Sequence, residues 1–214
     1  MRAITVLVII SLLVVWPAAN HSRADIDVGL SIGDGGIKGF YLAIGEHYKV
    51  AEKKVVVVKK KEIPDEELPV VFFLACRAEV APEVIIKLRV GGKSWMDIST
   101  RFGLTAEIFY VSLKQKPGPP YGKAYGHFKN RPKSKWSTIR LTDVEIVNFV
   151  NLKFISEHYG FSADEVIKMR AKGNSFVTIN AQVKKNKGQA KKQSVPYASE
   201  GKFKNKTKDK GKDK

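Results

Sequence analysis

The sequence predicts an all-α fold: a compact array of about four degenerate helix-turn-helix units, with one long basic loop and a disordered C-terminal tail. Three observations predict it. A twelve-residue phrase at 155–166, Ile-Ser-Glu-His-Tyr-Gly-Phe-Ser-Ala-Asp-Glu-Val, has a close relative at 98–109, a looser one at 44–55 and a more degraded one at 74–85. Downstream, Ile86, Lys87, Leu88, Arg89, Gly92, Ser94, Trp95 and Ile98 recur without a gap at Ile167, Lys168, Met169, Arg170, Gly173, Ser175, Phe176 and Ile179. Apolar residues in these stretches follow helical spacing, and a pair of short helices cannot bury its apolar face alone, so successive pairs must stack.

Taken in order, residues 1–24 read as a secretory signal peptide. Arg2 supplies the positive start, Ile4 to Trp16 is a mostly apolar run of 13 residues, and Ser22 and Ala24 are small residues placed for cleavage before Asp25. A helix of that length rises only about 20 Å, short of a bilayer core of roughly 30 Å, so no integral span is expected in the mature chain. Export to the periplasm or the exterior is the expectation. Residues 25–37 carry Gly29, Gly33, Gly35 and Gly36 and read as an extended lead-in segment.

Two helical lobes follow, at 38–113 and 141–184. The expected helices are roughly 38–48, 51–61, 65–78, 81–90, 94–102 and 105–112 in the first, and 142–159, 162–172 and 174–184 in the second. Thr142 with Glu145 and Ser162 with Glu165 have capping-box spacing, and Asp65, Glu66 and Glu67 follow Pro64 in a first turn. Gly92, Gly103, Gly160 and Gly173 stand where a helix needs a left-handed residue at its end. Val55, Val56, Val57 and Val58 favour a strand locally, but their alignment with 166–169 places them in a helix. The lone Cys76 cannot form an internal disulfide, and its apolar neighbours predict a small core residue.

Net charge is +17, and twelve lysines against three acids over 184–214 supply much of the excess. Residues 185–214 are expected to be a disordered lysine-rich tail, having too little apolar surface to fold. The segment at 114–140 is read as a structureless insertion with eight Lys or Arg residues and no acid. A long loop inside a compact domain is often functional, and aromatics interleaved with cations suit polyanionic or planar partners. The candidate ligand-binding residues are Tyr121, Lys123, Tyr125, His127, Phe128, Lys129, Arg131 and Trp136, and the expected partners are an anionic glycan, a lipid surface or an acidic protein.

The units also invite comparison with DNA-binding helix-turn-helix corners, at 94–113 and 152–170. Ile98, Phe102, Gly103, Leu104 and Phe109 fall on the packing positions of that motif. Base reading, however, needs polar or basic side chains at the start of the second helix, and these begin Thr105-Ala-Glu and Ser162-Ala-Asp-Glu. Nucleic-acid binding is therefore the alternative function. The recurrent basic position, His47, Arg77, Arg101 and His158, lies where a cation offsets a helix dipole.

Known catalytic patterns are absent: there is no Gly-x-Ser-x-Gly, no His-Glu-x-x-His and no phosphate loop. Glu46-His47 and Glu157-His158 are helix neighbours that point apart, and His47, His127 and His158 lie on separate units. No enzyme, cofactor or metal is expected, and the chain is expected to be a monomer. Several phrases carry a resemblance: Leu88-Arg-Val-Gly-Gly-Lys-Ser-Trp-Met-Asp-Ile98, Glu107-Ile-Phe-Tyr-Val111, Gly118-Pro-Pro-Tyr-Gly-Lys-Ala-Tyr-Gly126, and the run from Asn148 to Gly160. In these, the chain resembles an uncharacterised family of exported bacterial all-helical repeat proteins with no established activity. The resemblance implies secretion and a single architecture over roughly 25–185, and it implies no site.

Overall fold

A computed structural model describes residues 35–193. The expected signal peptide, most of the glycine-rich segment and the greater part of the lysine-rich tail lie outside them. The described residues form nine α-helices and no strand: α1 Gly35–Tyr48, α2 Glu52–Lys59, α3 Leu68–Ala78, α4 Pro82–Val90, α5 Trp95–Arg101, α6 Gly122–Lys129, α7 Asp143–Tyr159, α8 Ala163–Ala171 and α9 Phe176–Gln193. Single 3-10 turns occupy Asp65–Glu67, Ala106–Phe109 and Lys133–Thr138. The four-valine run lies in α2, with Val55, Val56 and Val58 inward and Val57 outward. Burial on one face outweighs the β preference of those residues.

One turn geometry closes four helix ends. Lys49, Glu79, Gly103 and Gly160 each adopt a left-handed backbone, with φ of 58°, 55°, 70° and 63°. The next residue's N–H then reaches back to a carbonyl of the preceding helix: Val50 to Gly45 (2.9 Å), Val80 to Ala75 (3.0 Å), Leu104 to Ser99 (2.9 Å) and Phe161 to Ser156 (3.0 Å). Each bond satisfies a carbonyl that the helix end would leave unpaired. Gly92 and Gly173 are left-handed as well, at 83° and 85°, and turn α4 into α5 and α8 into α9.

Helix α7 is the axis of the core, and it touches α1, α3, α5, α8 and α9. Ile146, Phe149, Leu152, Phe154 and Ile155 are fully buried, and Glu145, Asn148 and Asn151 are buried with them. Buried polar groups need partners, and Asn151 donates to the carbonyls of Glu66 (2.7 Å) and Val147 (2.9 Å). The capping box at Thr142 and Glu145 is present. Ser162 makes no such bond, so α8 starts without the box expected from Ser162 and Glu165.

Two arginine clasps tie distant segments together. Arg170, at the end of α8, forks onto the Glu66 carboxylate (3.1 and 3.3 Å) and lies over the Phe176 ring (4.4 Å). Glu66 also accepts the Phe176 N–H (2.7 Å), a donor that the start of α9 leaves open. Arg89, at the end of α4, does the same with Glu67 (2.9 Å twice) and Asp143, and stacks on Trp95 (4.6 Å). Asp143 in turn accepts the Trp95 N–H (2.7 Å). Burial would lower the pKa of Arg89, but the Glu67 and Asp143 carboxylates outweigh it and raise it.

Candidate functional site

The segment at 114–140 is not structureless. After the 3-10 turn at Ala106–Phe109 the chain leaves the core, folds into the two-turn helix α6, makes the turn at Lys133–Thr138 and enters α7. Aromatic burial holds it down. Tyr121, Tyr125, Phe128 and Trp136 are at most 8% exposed. Phe128 meets Phe149 of α7 edge-on at 5.7 Å, and Tyr110, Phe128 and Trp136 pack ring on ring at 4.7–5.1 Å. Buried hydroxyls and the indole find carbonyls: Tyr121 donates to Asn148 (3.3 Å), Tyr125 to Val111 (2.7 Å), and Trp136 to Phe128 (3.1 Å) and Arg131 (3.2 Å).

This corrects the expectation for those four aromatics. Their rings pack into the core, and Tyr125, Phe128 and Trp136 show only a small part of their surface, at the wall of a depression beside α6. Burial also pushes the Tyr121 and Tyr125 hydroxyls well above the usual phenol range, which keeps them protonated donors. Sequence reasoning weighed them as a ligand platform because they alternate with cations. A helical stripe was nonetheless present, since 121, 124, 125 and 128 stand at i, i+3, i+4 and i+7.

The cations of the segment take the outside. Lys114, Lys116, Lys123, Lys129, Arg131, Lys133, Lys135 and Arg140 are all exposed, and none forms an ion pair with a described carboxylate. His127 is half-buried, and its Nε2 stands 3.3 Å from the buried Glu145 carboxylate, which anchors the ring to α7. Two open depressions flank α6. One, of about 550 Å³, is lined by Lys123, Gly126, His127, Asn130 and Arg131. The other, of about 390 Å³, is lined by the aromatic cluster of Tyr110, Tyr125, Phe128 and Trp136, by residues 113–117 and Lys129, and by Gly122 and Gly126.

The two glycines differ in cause. A Cβ on Gly122 would stand 3.2 Å from the Pro117 carbonyl, so a side chain there would need that carbonyl to give by a few tenths of an ångström. A Cβ on Gly126 would meet nothing within 4 Å. Packing does not require that glycine. It leaves a notch that borders both depressions.

Other candidate residues settle elsewhere. Cys76 is exposed on α3 rather than in the core, because its turn of the helix faces away from the apolar neighbours that precede it. His47 and His158, expected on separate units, meet at the adjoining ends of α1 and α7, with ring centroids 5.9 Å apart. Each faces the acid beside the other: His47 lies 3.8 Å from Glu157, and His158 lies 3.5 Å from Glu46. Burial lowers the pKa of both, and for His47 the neighbouring His158 and Lys49 add to the effect. His127 is remote from this pair, and among the described residues no three His, Cys, Asp or Glu side chains gather as metal ligands.

The two corners compared with DNA readers also take definite form. At 94–113 the second element is one 3-10 turn, Ala106–Phe109, with Ala106 and Phe109 buried. At 152–170 the start of α8 is tied to the 114–115 backbone, since the Asp164 carboxylate accepts the N–H groups of Lys114 (3.4 Å) and Gln115 (3.3 Å). Among the described residues no helix is long and apolar enough to cross a membrane. Comparison of the chain with protein-family models, with curated proteins and with solved structures returns no match.

Proposed function

We propose that this chain is an exported, non-enzymatic binding or scaffold protein whose α6 surface contacts an anionic envelope component or an acidic partner. One observation carries the reading: eight exposed cations stand on one ordered segment, and none is paired with a described carboxylate. Elsewhere among the described residues only Lys59, Arg89 and Arg170 of the lysines and arginines pair with a carboxylate, so what sets this segment apart is that its eight cations share one stretch with no acid in it. Like charges held together without counter-charge raise the local potential and favour an anionic partner.

Export rests on the pattern at 1–24. The recurrence of one left-handed turn at Lys49, Glu79, Gly103 and Gly160, in step with the recurring phrases, supports treating the helical body as copies of a single unit. The corners then serve packing. Against base reading stand the single 3-10 turn after α5 and the acidic first turn of α8, with Asp164 and Glu165 where a reader would place polar or basic side chains. The test is titration of the full chain with polyanions across a salt series. Saturable binding that weakens with salt is expected, and absence of binding to any polyanion at low salt would overturn the proposal.

A further inference from the structure

We infer that the occupant of the α6 surface is a linear anionic glycan that crosses the helix at Gly126. This deepens the reading just given and rests on it. Both depressions border Gly126, so they come nearest to each other across the helix at that residue, with Lys123 and Arg131 on one side and Lys114, Lys116 and Lys129 on the other. The missing Cβ lets a chain pass over the helix between the two sets of cations.

The chemistry of the walls selects among polyanions. Bases of nucleic acid stack on exposed aromatic faces; Tyr110 is half-buried here, and Tyr125, Phe128 and Trp136, which share its wall, are at most 8% exposed. An extended peptide that docks by strand addition needs a row of open backbone groups. One wall here is a helix, whose backbone bonds to itself, and on the other wall the N–H groups of Lys114 and Gln115 are already taken by Asp164. A bilayer presents a broad flat face, whereas these depressions are concave. What the walls do offer is side-chain amides, at Asn130 and Gln115, and the Tyr110 hydroxyl, set among ammonium groups. None of these three side chains makes a hydrogen bond among the described residues. Donors and acceptors interleaved with point charges suit a polymer bearing both hydroxyls and anionic groups along its length.

The test keeps charge constant and changes only shape. Full-length protein and the variants Gly126→Ala and Gly126→Leu are titrated with short polygalacturonate oligomers, poly(glycerol phosphate), polyglutamate of matched charge, and single-stranded DNA. Both variants improve helix propensity at an open position, so melting temperatures at or above the parent's are expected. Gly126→Leu is expected to weaken polygalacturonate binding by about tenfold and Gly126→Ala by less. If both variants bind as the parent does, the crossing at Gly126 is wrong while the cationic surface survives. If polyglutamate or DNA binds as tightly and suffers the same loss in Gly126→Leu, the glycan assignment is overturned. If poly(glycerol phosphate) is preferred, the occupant is a polyol phosphate and the glycan assignment is overturned. No binding by any of the four would overturn both this inference and the reading beneath it.

Discussion

Glu66 holds two structural jobs, and its removal gives the sharpest stability test of the fold. The Glu66 carboxylate takes a forked pair of bonds from Arg170 and the open N–H of Phe176 at the start of α9. Each bond to a charged group is worth about 1.5–3 kcal/mol when sheltered, but both side chains retain roughly a quarter of their exposure, 26% and 22%. Water screening reduces the ionic part, and loss of a helix-start acceptor adds about 1 kcal/mol. Glu66→Ala should therefore cost about 2–3 kcal/mol in total, leaving Arg170 over Phe176 without its counter-charge. At about 2–4 °C per kcal/mol for a chain of this size, the melting temperature should fall by about 5–10 °C. A double-mutant cycle with Arg170→Met, followed by urea unfolding, should return a coupling energy of about 1–2 kcal/mol. Additive single effects, within about 0.3 kcal/mol, would refute the clasp as an energetic unit.

Three further outcomes follow from the same geometry. Because burial lowers the pKa of His47 and His158, the unfolded chain binds protons more readily there, so stability should be full above the ordinary histidine value of about 6.5 and decline as pH falls below it. Urea midpoints at pH 7.5 and 5.5 should differ in the parent and differ less in His158→Phe; equal shifts would remove the histidine pair as the cause. Glu79 occupies a left-handed position without glycine, so Glu79→Gly should stabilise by up to about 1 kcal/mol, and a loss in the same urea assay would contradict the turn geometry. Phe154 is fully buried against Phe40 and Tyr48, so Phe154→Ala should cost about 3–5 kcal/mol by chemical denaturation, and a cost near zero would place it outside the core.

The legible parts of the fold were those with local cause. Left-handed glycines at Gly103 and Gly160, the Thr142–Glu145 box and apolar residues at helical spacing act within a few residues, so the helices and corners could be placed from sequence. Helix α6 was not placed, because Gly122 and Gly126 weaken it locally and the prolines before it signal a loop. Its stability comes from Tyr121, Tyr125 and Phe128 packing onto α7, a tertiary effect. The arginine clasps had no local signal at all: Arg170 and Glu66 are 104 residues apart. The cations of the candidate site were visible as composition, whereas the notch at Gly126 required knowing that 122–129 is a helix. Cys76 misled because eight buried residues precede it, whereas it stands with Arg77 in the exposed last turn of α3.

The central claim is that the positive surface of α6, rather than the lysine-rich terminus, supplies the binding site. The direct measurement is affinity for polygalacturonate across a salt series, for the parent and for the full-length variant with Lys114→Ala, Lys116→Ala and Lys129→Ala. The account predicts weaker binding, an unchanged melting temperature, and a salt slope shallower by about one for each cation removed. Parent-like affinity and slope in that variant would place the binding charge elsewhere on the chain and contradict the account.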